Sequence, residues 1–166
     1  MPPLSHRVSH RASHRHSDQS GFTLIELLIA VAIMAIVAGV AIPIYTAYSD
    51  RSYRSEAQAD LSLCAQGMER WASNNFDYLG AADTDSDGAG DANAGPPATQ
   101  VCQPRSVANG RYTVTVTGAA TTFNVRATPT GQMAGDGFIT IDQAGARGWD
   151  ENNNGTIGVG EDTWEH

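Results

Sequence analysis

The stretch Phe22–Tyr45, FTLIELLIAVAIMAIVAGVAIPIY, is apolar throughout except at Thr23 and Glu26. Twenty-odd helical residues at about 1.5 Å each cover roughly 30 Å, the hydrocarbon thickness of a bilayer. The stretch therefore predicts a membrane-crossing helix, and the rest of the chain must be organised around it. A secretory signal would have a shorter apolar run with a small-residue cleavage site behind it. Here the run is longer, and Pro43 stands near its end.

Residues 1–21 hold four of the five His and the repeats Ser5-His6-Arg7, Ser9-His10-Arg11 and Ser13-His14-Arg15. Clustered His can hold a metal, but this composition reads first as a charged leader kept on the cytoplasmic side. The C-terminal part of the chain then crosses. All ten basic residues are Arg, against eighteen acidic ones, for a net charge of -8. Removing the three leader Arg and Asp18 leaves seven basic and seventeen acidic residues, a net charge of -10. Bulk charge thus excludes a nucleic-acid binder of the ordinary basic kind, and no direct nucleic-acid contact is predicted. Two Cys exclude a dense disulfide scaffold and a four-cysteine zinc site. No nucleophile stands with a base and an orienting group, and beyond the leader the only His is His166, so an enzyme is not expected.

Glu26 is the anomaly of the apolar run. A carboxylate inside a membrane helix costs about 2.5–3.5 kcal/mol on insertion scales, so it needs a partner, a function or an escape to the interface. The residues around it are Gly21-Phe22-Thr23-Leu24-Ile25-Glu26-Leu27. This string, followed directly by an apolar helix, resembles the processing motif of the type IV pilin family, PilE-like minor pilins above all. The resemblance is strong over residues 15 to about 75. It implies that a membrane prepilin peptidase cuts between Gly21 and Phe22 and methylates the new Phe22 amine. Glu26 would then pair with the Phe22 amine of a neighbouring subunit, each relieving the other's desolvation in a low-dielectric setting. Gly39 and Pro43 fit a helix that weakens on assembly. The leader is longer and richer in His than the family's usual short basic one.

The implied organisation is a leader over 1–21, a transmembrane and filament-core helix over 22–45, and a globular domain over 46–166. The helix is predicted to continue to about Asn74. Tyr53, Ala57, Leu61, Cys64, Met68 and Trp71 recur at helical spacing and form its packing face. Arg51, Arg54, Glu56, Gln58, Asp60, Glu69 and Arg70 are assigned mostly to the exposed face. Alternating β-branched residues predict strands at Arg111–Thr117, Thr121–Thr128 and Gly137–Asp142, the first two joined by a turn at Gly118-Ala119-Ala120. The fold class is α+β: a long N-terminal helix packed on a small antiparallel sheet of three or four strands.

Cys64 lies on the packing face and Cys102 precedes the first predicted strand. In an exported domain they are expected to form a disulfide. Their 38-residue separation makes that closure worth roughly 4 kcal/mol on the chain-entropy model. Many type IV pilins staple a C-terminal loop instead. The alternative is a pair of buried thiols.

Two acidic loops have calcium-loop spacing. Asp83, Asp85 and Asp87 occupy positions 1, 3 and 5, Gly88 position 6 and Asp91 position 9, but position 12 is Ala94. A calcium site and a solvated acidic loop are both open readings there. Asp150, Asn152 and Asn154 occupy the same three positions of the second loop, followed by Gly155, Thr156 at position 7 and Glu161 at position 12. This loop meets the full spacing pattern, with few charged ligands and no room for an exiting helix, and calcium is the expectation. Trp149 and Trp164 flank it and are expected to pack it shut. No cofactor is otherwise required.

The expected function is that of a structural subunit of a type IV pilus, serving motility, adhesion or DNA uptake at the level of the filament. Its partners would be other pilin subunits, the prepilin peptidase/N-methyltransferase and the inner-membrane assembly platform. Before assembly it would be a single-pass inner-membrane protein with a periplasmic domain; afterwards it would belong to an extracellular filament. Two other readings stand beside this one. One is a type II secretion pseudopilin with a calcium-stabilised C-terminal loop. The other is a membrane-tethered, calcium-dependent adhesin that never polymerises.

Overall fold

A computed structural model describes residues 21–165. The leader's His and Arg repeat and His166 lie outside the described residues. The first helix, α1, runs over Leu24–Asn75, and the chain divides into two compact units between Ile42 and Pro43.

In the first unit α1 starts at a built N-cap. Thr23 Oγ1 accepts the Glu26 amide at 3.2 Å, which satisfies one of the orphan donors of the first turn. Thr23 and Glu26 have the spacing of a capping box, and a carboxylate is favoured at this positive end of the helix. The apolar side chains that follow are uncovered: Leu24 is 77% exposed, Met34 67% and Ile36 71%.

In the second unit α1 carries Pro43 within it. Proline has no backbone N–H, and Thr46 Oγ1 donates to the Pro43 carbonyl at 2.9 Å. Further on, Ala57, Asp60, Leu61, Cys64, Gly67 and Met68 are buried. These follow the i, i+3, i+4 rule of one helical face. They include Asp60, which the sequence placed on the exposed side. Tyr53 and Trp71, expected on the packing face, are partly buried against the core.

The sheet has five antiparallel strands in the order β1-β2-β3-β4-β5. They are β1 (Ala94–Gly95), β2 (Tyr112–Gly118), β3 (Phe123–Pro129), β4 (Ile139–Asp142) and β5 (Arg147–Trp149). The three predicted strands are β2, β3 and β4; β1 and β5 are short edges with no alternation to read. A one-turn helix, α2 (Arg105–Ala108), precedes β2. Register sets Val116 opposite Val125 and Val125 opposite Ile141. Period-two alternation then turns Val114, Val116, Val125, Ala127, Ile139 and Ile141 into one core with Leu61 and Met68. The architecture is a long helix on an antiparallel sheet, with two more strands than the three read from the sequence.

Gly67 is the tightest point of the helix face. A Cβ there would collide with the Val101 carbonyl, so glycine is what lets the connection between β1 and β2 lie directly on the helix.

Candidate functional site

Gly21 and Phe22, read from the sequence as the processing site, open the described chain. Gly21 has no heavy atom within 4 Å of where a Cβ would stand, and Phe22 is 86% exposed. Glu26 follows one turn later, exposed on a surface of Leu, Ile and Val. Among the described residues of the first unit, 21–42, none is an Arg that could offer it a counter-charge.

Cys64 and Cys102 form a disulfide across a sequence separation of 38, with Cα atoms 5.0 Å apart. Both are buried. The same segment is held at two further points. The buried Asp60 carboxylate accepts the Ser106 amide at 2.7 Å, and Arg70 donates to the Val101 carbonyl at 3.3 Å. Asp60 sits one turn before Cys64. It satisfies an amide in the first turn of α2, where no side chain of α2's own cap does so. An acidic residue between Ala57 and Leu61 was the available signal for this tie.

A second cluster joins α1 to the far edge of the sheet. Arg54 pairs with Asp136 through both carboxylate oxygens. Tyr112 donates to Asp136 Oδ2 at 3.0 Å, and Trp149 Nε1 donates to the Asp136 carbonyl at 2.8 Å. The Arg54 guanidinium lies 3.8 Å from the Trp149 ring centroid, a cation–π stack. Burial, with the Asp136 carboxylate beside it, pushes the Tyr112 hydroxyl well above the usual tyrosine range. The sequence assigned Arg54 to the exposed face. Its partner Asp136 lies 82 positions away, so helical position alone did not reveal the contact.

The first acidic loop folds on itself. Asp83 is buried, and its two oxygens accept the Ser86 amide at 2.7 Å and the Gly88 amide at 2.8 Å. The carboxylates of Asp83, Asp85 and Asp87 offer oxygens that all lie within 4.8 Å of one another. Asp91 turns instead to Thr84, accepting its amide and hydroxyl. Ala94, at position 12, belongs to β1 and pairs with Thr117.

The second loop repeats the first with one difference. Asp150 is fully buried and accepts the Asn154 amide at 2.9 Å and the Gly155 amide at 2.8 Å. Asn152 Oδ1 accepts the Asn154 amide, and Asn154 Oδ1 accepts both the amide and the hydroxyl of Thr156. Glu161 closes the turn. Its Oε1 accepts Asn152 Nδ2 at 2.7 Å and its Oε2 accepts the Gly158 amide at 2.7 Å. Asp150, Asn152 and Glu161 are thus gathered into one hydrogen-bonded group. Trp164 is partly buried against the core that contains Trp149. Trp149 is core, and Trp164 donates to the Thr140 carbonyl at 3.1 Å. The loop is tied through its own polar groups and through the Trp149 amide, which donates to the Glu161 carbonyl.

This arrangement of helix, sheet and N-terminal motif has known relatives. Residues 43–137 match the family model described as "Type IV minor pilin ComP, DNA uptake sequence receptor", more than half of the chain. The chain belongs to this family of type IV minor pilins. Residues 16–42 match the prokaryotic N-terminal methylation motif, which covers Gly21, Phe22 and Glu26. Among curated relatives, the type IV major pilin protein PilE of Neisseria gonorrhoeae is 36% identical over 98 residues, 59% of this chain and 56% of that protein. The type II secretion system core protein G of Pseudomonas aeruginosa is 33% identical over 61 residues, 37% of this chain and 43% of that protein. The chain spans about half the length of the curated relatives it matches. A solved type IV pilin from Shewanella oneidensis aligns with a TM-score of 0.39 and 24% identity, over 59% of this chain and 89% of that one. As a pilin, the chain is a structural subunit rather than an enzyme.

Proposed function

We propose that this chain is a minor subunit of a type IV pilus, made as a precursor and assembled through its N-terminal helix. The observation that carries the reading is the uncovered apolar surface of residues 22–42, broken only by Thr23 and Glu26 and beginning directly after Gly21. Such a surface needs lipid before assembly and neighbouring helices after it. The leader 1–21 stays inside, 22–45 spans the inner membrane, and 46–166 folds in the periplasm, where the disulfide can form. The prepilin peptidase/N-methyltransferase cuts after Gly21 and methylates Phe22. The assembly platform then lifts the subunit into an extracellular filament, where Glu26 meets the Phe22 amine of a neighbour and sets the axial register.

Gly21→Ala should leave the precursor uncut, read as a mass larger by the leader. Glu26→Ala should be cut normally yet be depleted from sheared filaments. Normal processing of the first would sink the cleavage assignment, and normal incorporation of the second would sink the register argument.

The match to the DNA-uptake receptor family favours a second reading, in which the subunit also contacts DNA. The seven Arg and seventeen acidic residues beyond the leader argue against binding by bulk charge. Gel-shift titration of the purified protein against short duplexes at two salt concentrations decides it. Saturable binding with a strong salt slope would support the receptor reading. Similarity to the secretion protein keeps a pseudopilus reading alongside, and the locus of the gene separates the two. For calcium, the second loop is the site we favour, with Asp150, Asn152, Asn154, the Thr156 carbonyl and Glu161 as its ligands; the first loop, lacking a residue like Glu161, is the weaker candidate.

A further inference from the structure

The outer face of the sheet carries an arginine that makes no ion pair among the described residues. Arg126 is half-buried in β3. Its cross-strand neighbours are Thr115 on β2 and Thr140 on β4, so neither side of the ladder offers a carboxylate. Among the described residues no ion pair reaches it, and its buried Nε has no hydrogen-bond partner. In a chain this acidic, that is the reverse of what composition would produce. The guanidinium lies 3.5 Å from the centroid of the Phe138 ring. Stacking holds its plane and keeps the fork preorganised for a planar anion.

Arg126 lines an open pocket of about 290 Å³, near the lower end of the range for small-ligand sites. Thr128, Asn153 and the Gly155 turn supply polar groups on its wall, and Pro129 and Ala134 supply small apolar ones. Asp150 also borders the pocket, but both of its oxygens already accept amides of Asn154 and Gly155. The wall thus combines one fixed guanidinium with hydroxyl and amide groups, and is more polar than apolar.

We propose that this pocket binds a small sugar acid, its carboxylate held end-on by the Arg126 guanidinium and its hydroxyls by Thr128 and Asn153. Carboxylate geometry matches a guanidinium in two parallel hydrogen bonds. The polar wall then selects a polyhydroxylated body over a fatty one. The inference is independent of filament assembly.

The test uses the full-length chain in detergent and saturation-transfer NMR, with glucuronate as the probe and glucose and inorganic phosphate as comparisons. Glucuronate should give saturable transfer and glucose at least tenfold less. Arg126→Gln should weaken glucuronate tenfold or more, while Arg51→Gln, which alters an exposed arginine outside the pocket, should leave it unchanged. Equal transfer to glucose and glucuronate, equal losses in the two variants, or phosphate binding with no glucuronate transfer would each overturn the proposal. If Arg126→Gln fails to fold, Arg126→Lys decides. It keeps the charge but not the fork, and undiminished glucuronate binding in that variant would rule out the paired hydrogen bonds.

Discussion

The loops that begin at Asp83 and Asp150 follow one plan and are closed by different means. In each, a buried aspartate accepts two amides from the turn ahead of it. In each, a non-glycine residue takes a left-handed conformation, Ser86 at φ 66 and Asn153 at φ 52, followed two residues later by glycine at φ 93 and φ 90. The first loop is then closed by the backbone: Ala82 bridges to Ala92 and to Pro97, and the chain beyond runs to the disulfide at Cys102. The second is closed by a side chain, the Glu161 carboxylate. The difference teaches that the Asp-x-Asx-x-Asx-Gly pattern folds as a turn on its own amides. What distinguishes a candidate cation site is whether a further carboxylate is left to close it.

The largest effect should come from removing the covalent tie that follows the first loop. Replacing Cys64 and Cys102 together by Ala should lower unfolding stability by about 4 kcal/mol, from the loop-closure entropy returned to the unfolded chain. Urea denaturation of the variant measures it. Hydrogen exchange should speed up at the first loop, while the amides of Asn154 and Gly155 stay protected relative to global unfolding. Equal loosening of both loops would show that the second is not self-contained.

Next in size is the response to calcium, which should separate the loops outright. Calcium at about a hundred times its dissociation constant should stabilise the domain by about 2.7 kcal/mol. Glu161→Ala should abolish that gain, and Asp91→Ala should leave it intact. Thermal melts of the detergent-solubilised protein with calcium and with chelator read both. An unchanged midpoint in the native chain would remove the calcium reading of the second loop. A gain lost in Asp91→Ala and kept in Glu161→Ala would transfer it to the first.

Much of this organisation was legible in the sequence, because the strongest signals are local. The apolar run, the Gly21–Leu27 string and the alternation in β2, β3 and β4 each lie within a few consecutive residues. The loop spacings were legible for the same reason. What escaped depends on contacts far apart in the chain. β1 is two residues long and exists because Ala94 and Gly95 find Thr117 and Val116. Asp60 looked like a surface residue until Ser106, 46 positions away, supplied its partner. Arg54 and Asp136, 82 positions apart, carry no shared pattern at all. Arg126 lies inside the alternating Thr121–Thr128 segment, where nothing local singles it out. Only the register, which sets threonines on both sides of it, shows that it has no cross-strand ion pair.

The smallest effect tests the backbone that the two loops share. A side chain in the left-handed region costs about 1–2 kcal/mol for most residues, and Asn escapes much of this through local hydrogen bonding. Ser86 therefore carries strain that Asn153 largely avoids. Ser86→Gly should relieve it, but glycine also returns entropy to the unfolded chain. The net gain expected is about 0.5 kcal/mol, and Asn153→Gly should be neutral or slightly destabilising. Paired urea titrations in chelator, which keep any cation out of both loops, resolve a difference of this sign. If Asn153→Gly stabilised more than Ser86→Gly, the strain would lie in the second loop. That loop would then be held in shape by Asp150 and Glu161 against the preference of its own backbone.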